Sequence, residues 1–125
     1  MSLISPLNRV LGLGTAHGAA EHWWLQRVTA VALVPLGLWF AVSLLAMPDF
    51  GYAAVVAWVA RPVTSILLIL FIGAAAYHSF LGVRVVIEDY VGMGLRAATL
   101  IVSAFAHIGL AIAAVFSVLK IAFGS

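Results

Sequence analysis

Cysteine is missing altogether from these 125 residues, and charge is almost as scarce: six Lys and Arg against four Asp and Glu, 8% of the chain. With no thiol, the chain forms no disulfide, holds no zinc through thiolates and ligates no iron–sulfur cluster, while its redox compartment is left open. Soluble domains carry about 25% charged residues, so this composition does not cover a globule in water. No basic block exists to follow a phosphate backbone, which excludes nucleic acid as a partner. Proline occurs four times, and only Pro35 falls inside a long apolar run. No internal repeat or low-complexity tract is present.

What is there is hydrophobic: 66% of residues, with a mean hydropathy of +1.23. The expected solvent is lipid and the expected fold all-α, a bundle of three transmembrane helices in a single domain. Residues 1–25 do not read as a cleavable signal peptide, because Ser5-Pro6 breaks the only early apolar run. The glycines of Gly12-Leu13-Gly14-Thr15-Ala16-His17-Gly18 predict an irregular segment, and their spacing fits no nucleotide fingerprint. Trp23-Trp24 beside Arg27 then marks a headgroup layer, where indole is favoured. The spans are expected over about 26–47, about 62–83 with helix continuing to about 90, and about 97–119. Pro48-Asp49 closes the first and Arg61-Pro62 opens the second. Gly92 and Gly94 are the expected stop after it, and Phe50–Ala60, too short to cross, is expected to lie along the far interface. Arg9, Arg27, Arg84 and Arg96 fall on the N-terminal side, against Arg61 and Lys120 opposite. The positive-inside rule therefore puts the N-terminus in the cytoplasm and the C-terminus in the periplasm.

The most informative stretch is Tyr77-His78-Ser79-Phe80-Leu81-Gly82-Val83-Arg84-Val85-Val86-Ile87-Glu88-Asp89-Tyr90. A histidine inside a membrane-length apolar run is costly unless it is hydrogen-bonded or coordinated, which makes it a functional candidate. On one helix His78 and Asp89 are about three turns apart, on the same face and roughly 16 Å distant along the axis. Ala74 and Gly82 flank His78 by one turn on that face, leaving a slot for something flat to approach the backbone. Zinc needs several ligands at one depth, which this chain does not offer there, whereas a haem takes one axial side chain from each side. The bland reading is a histidine bonded to a neighbouring helix. His107, in the third span, is the other intramembrane histidine. It lies eleven residues from Arg96, which places it deeper than His78, and Ser103, Ala111 and Ala114 on its face favour helix packing over ligation. Glu88 reads as a solvated helix end. Asp89-Tyr90 pairs an acid with a phenol at the boundary, groups able to deliver a proton and donate to a carbonyl.

The spacing His78-x3-Gly82-x6-Asp89-Tyr90, with the run His22-Trp23-Trp24-Leu25-Gln26-Arg27-Val28-Thr29-Ala30, resembles the hydrophobic membrane-anchor family of succinate dehydrogenase, respiratory complex II, in its alphaproteobacterial and mitochondrial-like branch. That resemblance implies a non-dehydrogenase anchor subunit of succinate:ubiquinone oxidoreductase, an enzyme linking the tricarboxylic acid cycle to electron transport. It implies a multi-pass protein of the bacterial inner membrane. It also implies a haem b whose iron is held axially by His78, with Gly82 and Arg27 toward the cofactor, and Asp89 and Tyr90 at the ubiquinone-reduction site. The implied partners are the companion cytochrome b anchor chain, which shares the haem, together with an iron–sulfur protein and a flavoprotein. Two rival readings stay open: the anchor of a quinol:fumarate reductase, and a purely structural anchor without haem. His17 and His22 receive no role.

Overall fold

The computed structural model describes residues 16–124, all of whose regular structure is helical. Helix α1 runs Ala16–Leu45, α2 Tyr52–Val59, α3 Pro62–Tyr90 and α4 Met93–Phe123. Three of them are long and apolar enough to cross a membrane. Helices of 30, 29 and 31 residues measure roughly 45 Å, about ten residues more than the hydrocarbon core needs. The excess carries their ends into the headgroup layer and beyond.

Several boundaries differ from expectation. Ala16–Gly18, expected to be irregular, is the first turn of α1; residues 12–15 of that stretch lie outside the described chain. The helix continues through Pro35, which sits on an exposed face. The turn between α3 and α4 is confined to Val91 and Gly92, and Gly94, expected to help stop α3, already belongs to α4. Gly92 has φ −59°, an ordinary backbone conformation, so the turn does not depend on glycine's freedom there. A carbonyl does the closing instead: Arg96 Nε donates to Val91 O at 3.2 Å.

The packing is a row. Helix α3 lies in the middle, with α1 on one side and α4 on the other, and among the described residues α1 and α4 do not meet. The short α2, expected merely to lie along the interface, is a wedge. Its Val59 is buried with Leu68 of α3 and Val118 of α4. Its Trp58 stacks on Trp39 of α1 at 6.1 Å between ring centroids, and Phe40 packs on Phe71 of α3 at 5.1 Å. Ring pairs at these separations stabilise beyond simple area burial, by about 0.5–1.5 kcal/mol each in water. Gly37 lies beside Phe71, where an added Cβ would stand 4.0 Å from the ring, an ordinary van der Waals contact. The turn from α2 into α3 is tied by buried Ser65, whose hydroxyl reaches Val59 O at 2.6 Å and Arg61 O at 3.2 Å. Aromatic rings hold that end of the bundle, and polar pairs hold the other.

Candidate functional site

His78 lies on the α1 side of α3, half-buried, with Nδ1 2.9 Å from the Thr29 hydroxyl. The same hydroxyl is 2.9 Å from Leu25 O and 3.0 Å from Gln26 O on its own helix. One turn along, Gly82 faces Gln26, and a Cβ at Gly82 would stand 3.7 Å from the Gln26 amide nitrogen. So the space beside Gly82 is filled by a flexible α1 side chain, where the sequence pattern alone predicts an open slot. His22, one turn before Gln26, has a buried Nε2 without a hydrogen-bond partner among the described residues. His22, Gln26 and Thr29 are spaced to share one face of α1, and the contacts of Gln26 and Thr29 turn that face toward α3.

His107 answers to the opposite side. Its Nδ1 is 2.8 Å from Ser103 O, its Nε2 is 3.2 Å from the Ser79 hydroxyl, and its ring meets Phe80 edge-on at 5.7 Å. A carbonyl only accepts, so Nδ1–H donates to Ser103 O and Nε2 accepts the Ser79 proton. Both nitrogens are engaged. The depth argument drawn from sequence is corrected here: contact with Ser79 puts His107 at nearly the same level as His78. The physical reason is that α3 stays helical to Tyr90, past the end of the apolar run at Val83, so His78 lies nearly as far from the end of its helix as His107 lies from Met93. Azimuth separates the two histidines instead. Ser79 follows His78 by one residue, about 100° round the helix, which turns one toward α4 and leaves the other on α1. Beside His107 a groove of about 290 Å³ opens between α3 and α4, lined by Gly73, Ala76, Tyr77, Phe80 and Ala111.

The charged end is exposed. Asp89 and Tyr90 form the last turn of α3, with Tyr90 85% exposed. Arg84 Nε donates to Glu88 Oε1 at 2.7 Å, one turn apart. A pair that open to solvent contributes little, and its effect is to leave Asp89 without a cation among the described residues. Arg27 is not brought to His78. It is two residues from Thr29, about 200° round α1, and its guanidinium lies 4.3 Å from the Trp23 ring centroid. Among the described residues no three His, Asp or Glu side chains gather as a multidentate metal site. Thr29 and Ser79 are the site residues that periodicity missed. A hydroxyl in an apolar span is the only signal for Ser79, shared by many residues that simply bond their own helix, whereas Thr29 also falls in the His22–Ala30 run that carries the family resemblance.

Three membrane-length helices, paired through histidines and hydroxyls within their apolar length, define a polytopic membrane protein. The model for the succinate dehydrogenase/fumarate reductase transmembrane subunit matches residues 1–119. The succinate dehydrogenase hydrophobic membrane anchor subunit of Paracoccus denitrificans is 30% identical over 125 residues, covering all of this chain and 97% of the relative. That of Rickettsia bellii is 36% identical over 90 residues, 72% of each chain. No solved structure matches significantly. The chain belongs to the succinate dehydrogenase/fumarate reductase transmembrane subunit family.

Proposed function

We propose that this chain anchors a succinate:ubiquinone oxidoreductase in the bacterial inner membrane, supplies one axial ligand of a haem b and forms part of the site where ubiquinone is reduced. Family membership carries the anchor role, and the environment of His78 is the observation that carries the haem. Thr29 occupies Nδ1, which leaves Nε2 as the nitrogen for a metal, and Nε2 has no hydrogen-bond partner among the described residues. Ala74 and Gly82, one turn away on either side, are small. These residues fit a haem edge, with Gln26 moving aside at Gly82. His107 lacks a free nitrogen, so the second ligand falls to another chain, the companion cytochrome b anchor. An iron–sulfur protein and a flavoprotein complete the assembly.

When bound, the haem supplies a one-electron station inside the lipid. The chain's own residues do the rest. His78 orients the group, and Arg27, which packs on Trp23 and is not brought to His78, would have to leave that ring to offer its guanidinium donors to a propionate. At the end of α3 the Tyr90 hydroxyl donates to a quinone carbonyl as it gains electron density, and Asp89 passes protons in from water. The N-terminus and the Asp89-Tyr90 end lie on the cytoplasmic side, where the iron–sulfur protein delivers electrons.

The test is His78→Ala in the assembled complex, read by optical difference spectrum. The expected result is loss or strong perturbation of the b-type haem bands with the complex still associated. A bis-histidine spectrum at wild-type intensity in the variant removes His78 as a ligand.

A further inference from the structure

The proton inventory around Thr29 decides the state of His78. A hydroxyl has one proton and two lone pairs, and a carbonyl oxygen only accepts. Thr29 Oγ1 lies 2.9 Å from Leu25 O and 3.0 Å from Gln26 O, the back-bonding geometry of a threonine within a helix. Those two carbonyls take its proton. What Oγ1 turns toward α3 is lone-pair density, so the hydrogen in the 2.9 Å contact with His78 comes from the ring: Nδ1–H donates and Thr29 accepts. A neutral imidazole has only one N–H, and Nε2 is therefore bare. His107 provides the contrast within the same chain. Its Nδ1–H goes to Ser103 O and its Nε2 accepts from Ser79, so it has no lone pair to give.

We infer that Thr29 is the positioning residue of the haem ligand, fixing His78 in the Nδ1–H tautomer, aiming Nε2 away from α1 and raising its basicity. The inference rests on the reading of His78 as an axial ligand. Partners of this kind, bonded to the far nitrogen of a ligating histidine, fix the ring and its tautomer, and removing one typically costs about 10- to 100-fold in metal affinity. Here the partner is itself held by the backbone of α1, so ring orientation is set by how α1 and α3 pack. A hydrogen bond accepted from Nδ1–H also pushes electron density toward Nε2, which favours the ferric state of an iron bound there.

The experiment compares Thr29→Val, Thr29→Ala, Thr29→Ser and His78→Ala in the whole complex. Three quantities are read: haem retained through purification, the low-spin resonance g-values of the ferric haem, and its midpoint potential. Valine and alanine are expected to assemble, to lose haem about 10- to 100-fold more readily, to shift the g-values and to raise the potential. Serine, which keeps the hydroxyl, restores all three. Valine and alanine complexes matching the wild type in every readout overturn the inference. So does loss of assembly in both, which assigns the hydroxyl to helix pairing alone. An unaltered haem in His78→Ala instead overturns the ligand reading itself, and the two failures are told apart by which variant stays silent.

Discussion

Tyr90 is where a single atom separates function from decoration. The side chain is 85% exposed at the end of α3, and a phenol in that position ordinarily tolerates loss of its hydroxyl within about 0.5 kcal/mol. If the hydroxyl meets a quinone in a pocket completed by partner chains, Tyr90→Phe removes a donor aimed at developing negative charge. The expected cost is then on the order of 3 kcal/mol, about a hundredfold in rate. Succinate oxidation with a soluble artificial acceptor bypasses the membrane and stays normal. The ratio of quinone-linked to soluble-acceptor turnover checks this, and an unchanged ratio returns Tyr90 to a solvated helix end. His78 and Ser79 make the complementary point about adjacent residues. One residue turns a side chain by about 100°, so the first bonds Thr29 on α1 and the second bonds His107 on α4. Counting residues to the end of the apolar run understates the depth of His78, because α3 stays helical past Val83 to Tyr90.

Among the elements, α2 departs furthest from its sequence reading. Eight residues are too few to cross a bilayer and carry little periodicity, so their pattern alone reads as an interfacial strip. In the fold, Val59 is buried between α3 and α4 and Trp58 stacks on α1, which makes α2 the piece that joins all three spans at one end. Its junction with α3 depends on Ser65. The side chain is 5% exposed, and its hydroxyl is 2.6 Å from Val59 O. Ser65→Ala leaves that carbonyl with one partner fewer beside a buried position. The expected destabilisation is about 1–3 kcal/mol, read as a lowered thermal midpoint of the detergent-solubilised complex. The haem signature should be unaffected, since the polar pairs lie at the other end. An unmoved midpoint would show that the Ser65 hydroxyl contributes little to this junction. Helix α3 is the element its sequence described best. Pro62 sits in its first turn, and helix persists to Tyr90 because no further proline intervenes between them.

At the scale of the whole molecule, the surface is the main feature. Among the described residues only Val59, Leu68, Leu81, Ile87 and Val118 are buried hydrophobics, and side chains as large as Phe105, Leu110 and Phe116 lie open. Lipid is as apolar as leucine, so such faces cost nothing in a membrane and do not by themselves drive helices together. Three crossings place the two ends of the helical bundle on opposite sides. The proposed cytoplasmic position of the end of α3 rests on the bias of Arg27, Arg84 and Arg96 against Arg61 and Lys120. A periplasm-active phosphatase fused after Phe123 is therefore expected to be active, and the same enzyme fused in the Val91–Gly92 turn inactive. The reverse pattern would invert the orientation and detach Asp89 and Tyr90 from a cytoplasmic electron donor.

Much of this protein is determined one residue at a time. Apolar run length sets the number of spans, because every backbone group in lipid must bond within its own helix. The rarity of ionisable groups picks out His78, and helical spacing aligns it with Asp89. Tertiary structure decided what periodicity does not carry: which neighbour each face meets. The partner of Thr29 is hidden in the sequence until α1 lies against α3, and Gly82 reads as an open slot until Gln26 fills it. His107 reads from sequence as a packing residue, and only the fold shows that Ser79 and Ser103 take both its nitrogens. In a helix that is apolar nearly all round, no stripe announces the packed side. The choice falls to a few small and polar side chains whose partners are dozens of residues away.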